Sequence, residues 1–212
     1  MKLKKSLYGL WQSSKNWLST MDHHLGKIGF RSLKSDPCVY VYEDENGSAI
    51  LTLYVDDLLL LGVNKQLSDK FRKKLMDRVE VSDMGHVSRV LGRNGTCDRE
   101  EGTIMINQKD YIEDIVQRYE IMGCNLASTP RVGPKIFLDQ SMVNLLNEES
   151  KRRYQSITGA AVYLAQVCRY GILYNVSQMA RAMSEPSKAQ MEAAKHLIHY
   201  LDGSIDLKIT YK

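Results

Sequence analysis

The chain has no apolar run approaching the roughly 20 residues of a membrane-spanning helix. Its N-terminus, Met1-Lys-Leu-Lys-Lys-Ser6, is basic but lacks the apolar core of a secretory signal. Both absences point to a cytoplasmic or nuclear protein that is not secreted and does not enter a membrane. Cysteine is scarce. Cys38, Cys97, Cys124 and Cys168 are far apart and form no CxxC pair, so neither a zinc site nor a disulfide framework is indicated, and reduced thiols are expected. There is no internal repeat and no low-complexity tract. Charge of one sign is also in short supply. A formal net charge of +4 over 212 residues does not by itself mark a nucleic-acid binder, although a local basic stripe would suffice for one. What remains is ordinary: 43% hydrophobic and 25% charged residues, enough for one or two domains with a sizeable core.

Periodicity organises the chain into alternating helices and strands. Trp17, Met21, Leu25 and Ile28 recur at helical spacing, predicting a helix over 13–28 that Gly29 ends. A hairpin follows, with Val39 and Val41 alternating with Tyr40 and Tyr42 and Asn46-Gly47 as the turn signal. The returning strand, Ala49 to Val55, runs into Asp56-Asp57 and a second apolar run, Leu58 to Leu61. A helix over about Lys65 to Val79 carries Leu67, Phe71 and Leu75 on one stripe. Val87 to Leu91 and Thr103 to Ile106 read as short strands around a polar turn, and Tyr111, Ile115 and Tyr119 line the next helix. Residues 123–150, with Pro130 and Pro134, read as a linker. Residues 149–183 are helical with a break at Tyr170-Gly171. Pro186-Ser187 opens a last helix, with Ser187 and Gln190 as a capping box and Gly203 as a C-terminal cap. Ile205, Leu207, Ile209 and Tyr211 alternate as a final strand.

The most informative stretch is Leu51-Thr-Leu-Tyr-Val-Asp-Asp-Leu-Leu-Leu-Leu61. Two adjacent carboxylates inside so apolar a run are costly unless something neutralises them. A divalent cation does so, because hard carboxylate oxygens suit Mg²⁺ or Mn²⁺ and phosphoryl transfer uses paired cations. A surface hairpin turn without chemistry is the other solution, and the two acids alone leave both open. His196 and His199, three apart on a helix, are either metal ligands with partners elsewhere or a solvated face. Lys2, Lys4, Lys5, Arg72, Lys73 and Lys74 are candidate phosphate contacts or, equally, solvated faces.

Tyr54-Val-Asp-Asp57 resembles the YxDD box of reverse transcriptases, and the chain as a whole resembles the copia-type retrotransposon enzymes. The resemblance runs through Lys2-Leu-Lys-Lys-Ser-Leu-Tyr-Gly-Leu10, Gly29-Phe30, Ser35-Asp-Pro-Cys38, Val90-Leu-Gly92, Gln108 to Tyr111 and Ser128-Thr-Pro130. It continues through Tyr154 to Ile157 with Gly159, Tyr163-Leu164-Ala165, Val176-Ser177-Gln178, Glu192-Ala-Ala-Lys195 and Tyr200-Leu201 with Gly203. YxDD alone is moderately specific; the ordered series is highly specific. The sequence departs from the family at Trp11, where lysine is usual, and at Ser14-Lys15-Asn16, which replaces Pro-Arg-Ala. Further departures are Arg93, at a usually apolar position, and Arg169-Tyr-Gly-Ile172.

The resemblance implies an α+β fold: a partial palm sheet with packed helices, a helical thumb and a helical connection. It divides the chain into a palm with two hairpins (1–107), a thumb helix and linker (108–150) and a connection (151–212) leading toward a ribonuclease H domain. It implies an RNA-directed DNA polymerase of a transposon polyprotein, with Asp56 and Asp57 as catalytic acids holding Mg²⁺ or Mn²⁺ and an RNA or DNA template-primer as partner. It places Gly9, Gln12, Ser13 and Lys15 near nucleotide and template, and Leu91-Gly92 in a turn like the primer grip. In the family the first catalytic aspartate lies upstream of the match to Lys2, and the first acidic residue here is Asp22, inside the predicted palm helix. The expectation is therefore a fragment that does not polymerise alone, binds metal weakly, and needs upstream palm and fingers and downstream ribonuclease H segments. A domesticated binding module and one half of a split polymerase are the alternatives. Sheet edges left open, at the acidic hairpin and at Ile205 to Tyr211, predict self-association.

Overall fold

The computed structural model of the chain describes residues 6–7, 9–45, 47–120, 126–131 and 144–212. The candidate lysines Lys2, Lys4 and Lys5, the turn residue Asn46, Cys124, Pro134 and most of the expected linker lie outside them. The fold is α+β, and the chain forms two compact units, Met1–His86 and Val87–Lys212.

The first unit opens with helix α1 (Ser13–Ile28), the span that apolar spacing predicts. Gly29 ends it as a left-handed cap at φ 106°, donating its N–H to Gly26 and Leu25 carbonyls, while the Phe30 N–H reaches back to Leu25. A side chain at Gly29 would also press on the Tyr42 ring, 3.0 Å from the position of a Cβ. Strands β1 (Arg31–Ser32), β2 (Val39–Asp44), β3 (Gly47–Tyr54) and β4 (Asp57–Gly62) then form an antiparallel sheet in that order. Helix α2 (Lys65–Met76) completes the unit; its Asn64 cap accepts from the Leu67 N–H at 2.8 Å.

The period of two along β3 sorts its side chains. Ala49, Leu51 and Leu53 are buried, and Ile50 between them and Tyr54 after them are exposed. The buried face packs with Met21, Leu25 and Ile28 of α1 and Leu67, Phe71 and Leu75 of α2. Phe71 is fully buried, with ring centroids 4.7 Å from Phe30 and 4.5 Å from Tyr42. Burial of such a side chain stabilises by about 2–3 kcal/mol.

In the second unit, β5 (Arg89–Val90), β6 (Arg93–Asp98) and β7 (Thr103–Asn107) are joined by β8 (Ile209–Tyr211) in an antiparallel sheet of that order. Helices α3 (Lys109–Arg118), α4 (Glu148–Val167), α5 (Leu173–Arg181) and α6 (Lys188–Gly203) build a separate core around Tyr154, Ile157, Leu164, Met179 and Leu197. A 3-10 turn at Tyr170–Ile172 breaks the helical run where Tyr170-Gly171 predicts. Ser187 and Gln190 form the expected capping box of α6.

Three expectations are corrected here. Arg93–Asp98 is a strand, although its polar sequence Arg-Asn-Gly-Thr-Cys-Asp reads as a turn; its backbone pairs on both sides supply what its side chains do not. The final strand is confined to Ile209–Tyr211, and its inner edge is not open. Ile104 pairs with Tyr211, Met105 with Thr210 and Ile106 with Ile209. Gly203 is not a left-handed cap but the last helical residue, ahead of a Ser204 cap at φ −122°. Its small size serves packing, because an added Cβ would lie 3.2 Å from the Leu126 Cβ.

Candidate functional site

The acidic hairpin is a two-residue turn. Tyr54 pairs with Asp57, which leaves Val55 and Asp56 at the tip. Such hairpins require φ > 0 at the first turn position, normally met by glycine or asparagine. Here Val55 meets it at φ 53°. A β-branched residue in that region is strained, and the left-handed conformation costs roughly 1–2 kcal/mol. Asp56 and Asp57 are both exposed. Asp57 shares with Tyr54 the sheet face opposite the helices, because Leu53 and its partner Leu58 pack toward the core.

The tip is tied to α1. The indole Nε1–H of Trp17 donates to the Val55 carbonyl at 2.7 Å, while the Trp17 ring packs at the margin of the first core. Trp17 enters the sequence reading only as one position of an apolar stripe; its indole N–H, which a stripe of leucines would lack, is the signal that a polar partner is needed.

Of the residues expected near nucleotide and template, Gly9 lies before α1 at φ 87° with no atom within 4 Å of a Cβ built there. Gln12 is the N-cap residue of α1 without a side-chain capping bond. Ser13 donates its hydroxyl to the Leu7 carbonyl at 2.6 Å, and Lys15 is exposed in the first turn. Ser13 and Trp17 are four residues apart and share a helix face, about 6 Å along the axis. Ser13 is thus placed one turn from the residue that holds the hairpin tip.

Two basic candidates have local work. Arg72 pairs with Asp69 and, at 2.7 Å, with Asp83. That hydrogen bond and the Gly85 N–H hold the Asp83 carboxyl below the usual aspartate range. Lys74 sits 6.0 Å over the Phe71 ring. His196 donates its Nε2–H to the Thr129 carbonyl at 2.9 Å, which commits that nitrogen to the backbone rather than to a metal.

The primer-grip-like turn belongs to the second unit. Val90 pairs with Arg93, so Leu91 and Gly92 form another two-residue tip, with φ 51° and 71°. Two successive positive values define a type I′ turn. The Tyr163 hydroxyl of α4 donates to the Leu91 carbonyl at 2.7 Å. Cys168, buried in the same unit, donates its thiol to the Gln108 Oε1 at 3.0 Å, and burial pushes its pKa up, so it is not poised as a nucleophile.

Among the described residues no group of three or more His, Cys, Asp or Glu side chains converges as a metal site. Asp56 and Asp57 supply hard carboxylate oxygens at an exposed tip, the donor type that suits a divalent cation. No helix among the described residues is long and apolar enough to cross a membrane.

The profile described as reverse transcriptase (RNA-dependent DNA polymerase) matches residues 1–133. The chain is 32% identical over 208 residues to a retrovirus-related Pol polyprotein from transposon TNT 1-94 of Nicotiana tabacum, covering 96% of this chain and 16% of that protein. It is 28% identical over 204 residues to a retrovirus-related Pol polyprotein from transposon RE1 of Arabidopsis thaliana, covering 96% of this chain and 13% of that one. A transposon Ty5-1 protein of Saccharomyces cerevisiae is 28% identical over 206 residues, 97% of this chain and 66% of its own length. The chain thus spans a small part of the two polyproteins and nearly two thirds of the yeast protein. No solved structure matches.

Proposed function

The chain belongs to the reverse transcriptase family, and from that membership we propose that it carries the metal-binding hairpin of a transposon RNA-directed DNA polymerase, with Asp56 and Asp57 as its catalytic acids. The observation that carries this reading is the hairpin tip, where two exposed carboxylates follow a strained Val55 that α1 holds in place. Strain of this kind persists where the surrounding structure over-determines it, and it clusters at functional sites.

Family members use divalent metal ions, and the cation here is Mg²⁺ or Mn²⁺. When bound, it supplies charge neutralisation for the phosphates of the incoming nucleotide. The residues themselves present hard oxygen donors at an open tip, with Ser13 and Gln12 at the α1 end nearest to it. The primer-grip-like tip at Leu91-Gly92 is a candidate contact for the primer strand. The palm, thumb and connection divisions follow as part of the same reading.

Two carboxylates fill only part of the coordination of two octahedral cations, and the described residues bring no further one to the pair. The 212-residue chain therefore acts with other palm and finger segments and with a nucleic-acid template-primer, and alone it binds metal weakly. Calorimetric titration with Mg²⁺ tests this. A weak site, well above the micromolar range and lost in Asp56→Asn/Asp57→Asn, is the expected result. A tight site that survives the double substitution refutes the assignment.

A further inference from the structure

We propose that Trp17 is a positioning residue for the acidic hairpin: its indole N–H holds the Val55 carbonyl and thereby fixes the left-handed tip that aims Asp56 and Asp57. The proposal rests on the reading of those two acids as metal ligands and adds the residue that sets their geometry.

The turn residue is the wrong type for its conformation. Val55 sits at φ 53° with 55% of its surface exposed, so burial of its own side chain offsets little of the strain. The interaction that acts on its peptide is the 2.7 Å bond from Trp17. That bond spans 38 residues of sequence, so it transmits the position of a helix to the tip of a hairpin. Trp17 itself is anchored. It packs against the core made by Met21, Leu25 and Leu53, and its helix is fixed at the far end by the Gly29 cap. A ring packed on one side and donating on the other sets the tip's location along the helix axis. Pure apolar packing would leave the tip free to exchange between turn types.

Glycine at position 55 adopts positive φ without strain. If the indole bond acts by holding a strained turn, its loss matters with valine at position 55 and matters much less with glycine there. If Trp17 serves only the core, Trp17→Phe has the same effect in either background.

The test uses the whole chain labelled with ¹⁵N. First, the two indole protons are compared by solvent exchange. Trp11 is 95% exposed and serves as the internal reference. Trp17 is expected to exchange at least about tenfold more slowly, as a hydrogen-bonded N–H does; equal rates overturn the proposal whatever the variants do. Second, Mn²⁺ is added and paramagnetic broadening of the Val55, Asp56 and Asp57 amides is followed in wild type, Trp17→Phe, Val55→Gly, Trp17→Phe/Val55→Gly and Asp56→Asn/Asp57→Asn. The expected pattern is broadening in wild type and Val55→Gly, a several-fold higher Mn²⁺ requirement in Trp17→Phe, recovery in Trp17→Phe/Val55→Gly, and none in the double asparagine variant. Equal Mn²⁺ requirements in wild type and Trp17→Phe overturn the positioning role while leaving the acids as ligands. Broadening that persists in the double asparagine variant, or is absent from wild type, overturns the metal reading and the proposal with it.

Discussion

Tyr154 has no exposed surface, and burial pushes its pKa up to about 12, only partly offset by the nearby Thr158 hydroxyl. Its phenol donates to the Met179 carbonyl at 2.8 Å, joining α4 to α5. A raised phenol pKa means that the folded state favours the neutral form. The corresponding stability is fully present below the ordinary value of 10.0 and is lost as pH rises through about 12. At about 1.4 kcal/mol per unit, that amounts to roughly 3 kcal/mol. Denaturant unfolding at pH 8 and pH 11.5 should therefore show a steeper alkaline loss in wild type than in Tyr154→Phe. At pH 8 the variant itself should lose about 1 kcal/mol, the worth of one hydrogen bond. Equal alkaline slopes would show that Tyr154 ionises without opening the core. At Arg72 a different kind of lesson holds. A guanidinium that looks available for phosphate in the sequence is occupied by Asp69 and Asp83, which removes one member from the candidate basic stripe.

The two hairpins use the same device. Each has a non-glycine residue at positive φ in a two-residue tip, and each tip carbonyl accepts from an aromatic side chain on a helix: Trp17 to Val55 in one unit, Tyr163 to Leu91 in the other. Tyr163 also stacks edge-on with Tyr111, with centroids 5.0 Å apart, so its hydroxyl is held in position by packing. Tyr163→Phe keeps the ring and removes the donor. The expected cost is about 1 kcal/mol, with faster amide exchange confined to residues 90–93. Unchanged exchange there would mean that the type I′ turn holds itself. At the other end of the first sheet, Asn64 caps α2 through the Leu67 N–H. Asn64→Ala should lower stability by about 1 kcal/mol in thermal unfolding, and no change would assign the start of α2 to packing alone.

In the first unit the sheet presents an open face among the described residues. Among the described residues β4 is an edge strand, and Val41, Ile50 and Leu61 stand in register on the face away from the helices. Ile50 is 43% and Leu61 50% exposed. An apolar face beside an unpaired edge favours association. Light scattering coupled to size exclusion should show concentration-dependent dimers or larger species, shifted toward monomer in Ile50→Lys/Leu61→Lys. A wild-type monomer at high concentration would show that the face is covered. The β8 edge facing β7 contributes nothing to this, because it is already paired. On the proposed reading, polymerase activity needs ligands beyond the two acids of the hairpin. The isolated chain, with primer, template, nucleotides and Mg²⁺ or Mn²⁺, should give no extension, since two carboxylates fill only a small part of the coordination of two octahedral cations. Extension that disappears in Asp56→Asn would show that a third ligand is present.

Local chemistry that repeats along the chain is enough to set much of the secondary structure. The α1 span, its Gly29 stop, the apolar strands around Asp56-Asp57, the break at Tyr170 and the Ser187–Gln190 capping box are all set by neighbours within a few residues. The ordered motifs likewise pointed to the family that the matched relatives share. Tertiary structure decided the rest, because backbone pairing leaves little trace in side-chain type. The polar segment Arg93–Asp98 became a strand only because β5 and β7 flank it, and Ile209–Tyr211 found its partner about a hundred residues upstream. Trp17 is the sharpest instance. Its spacing places it on the core stripe of α1, but the carbonyl that its indole holds lies 38 residues away, at a tip whose conformation valine does not favour unaided.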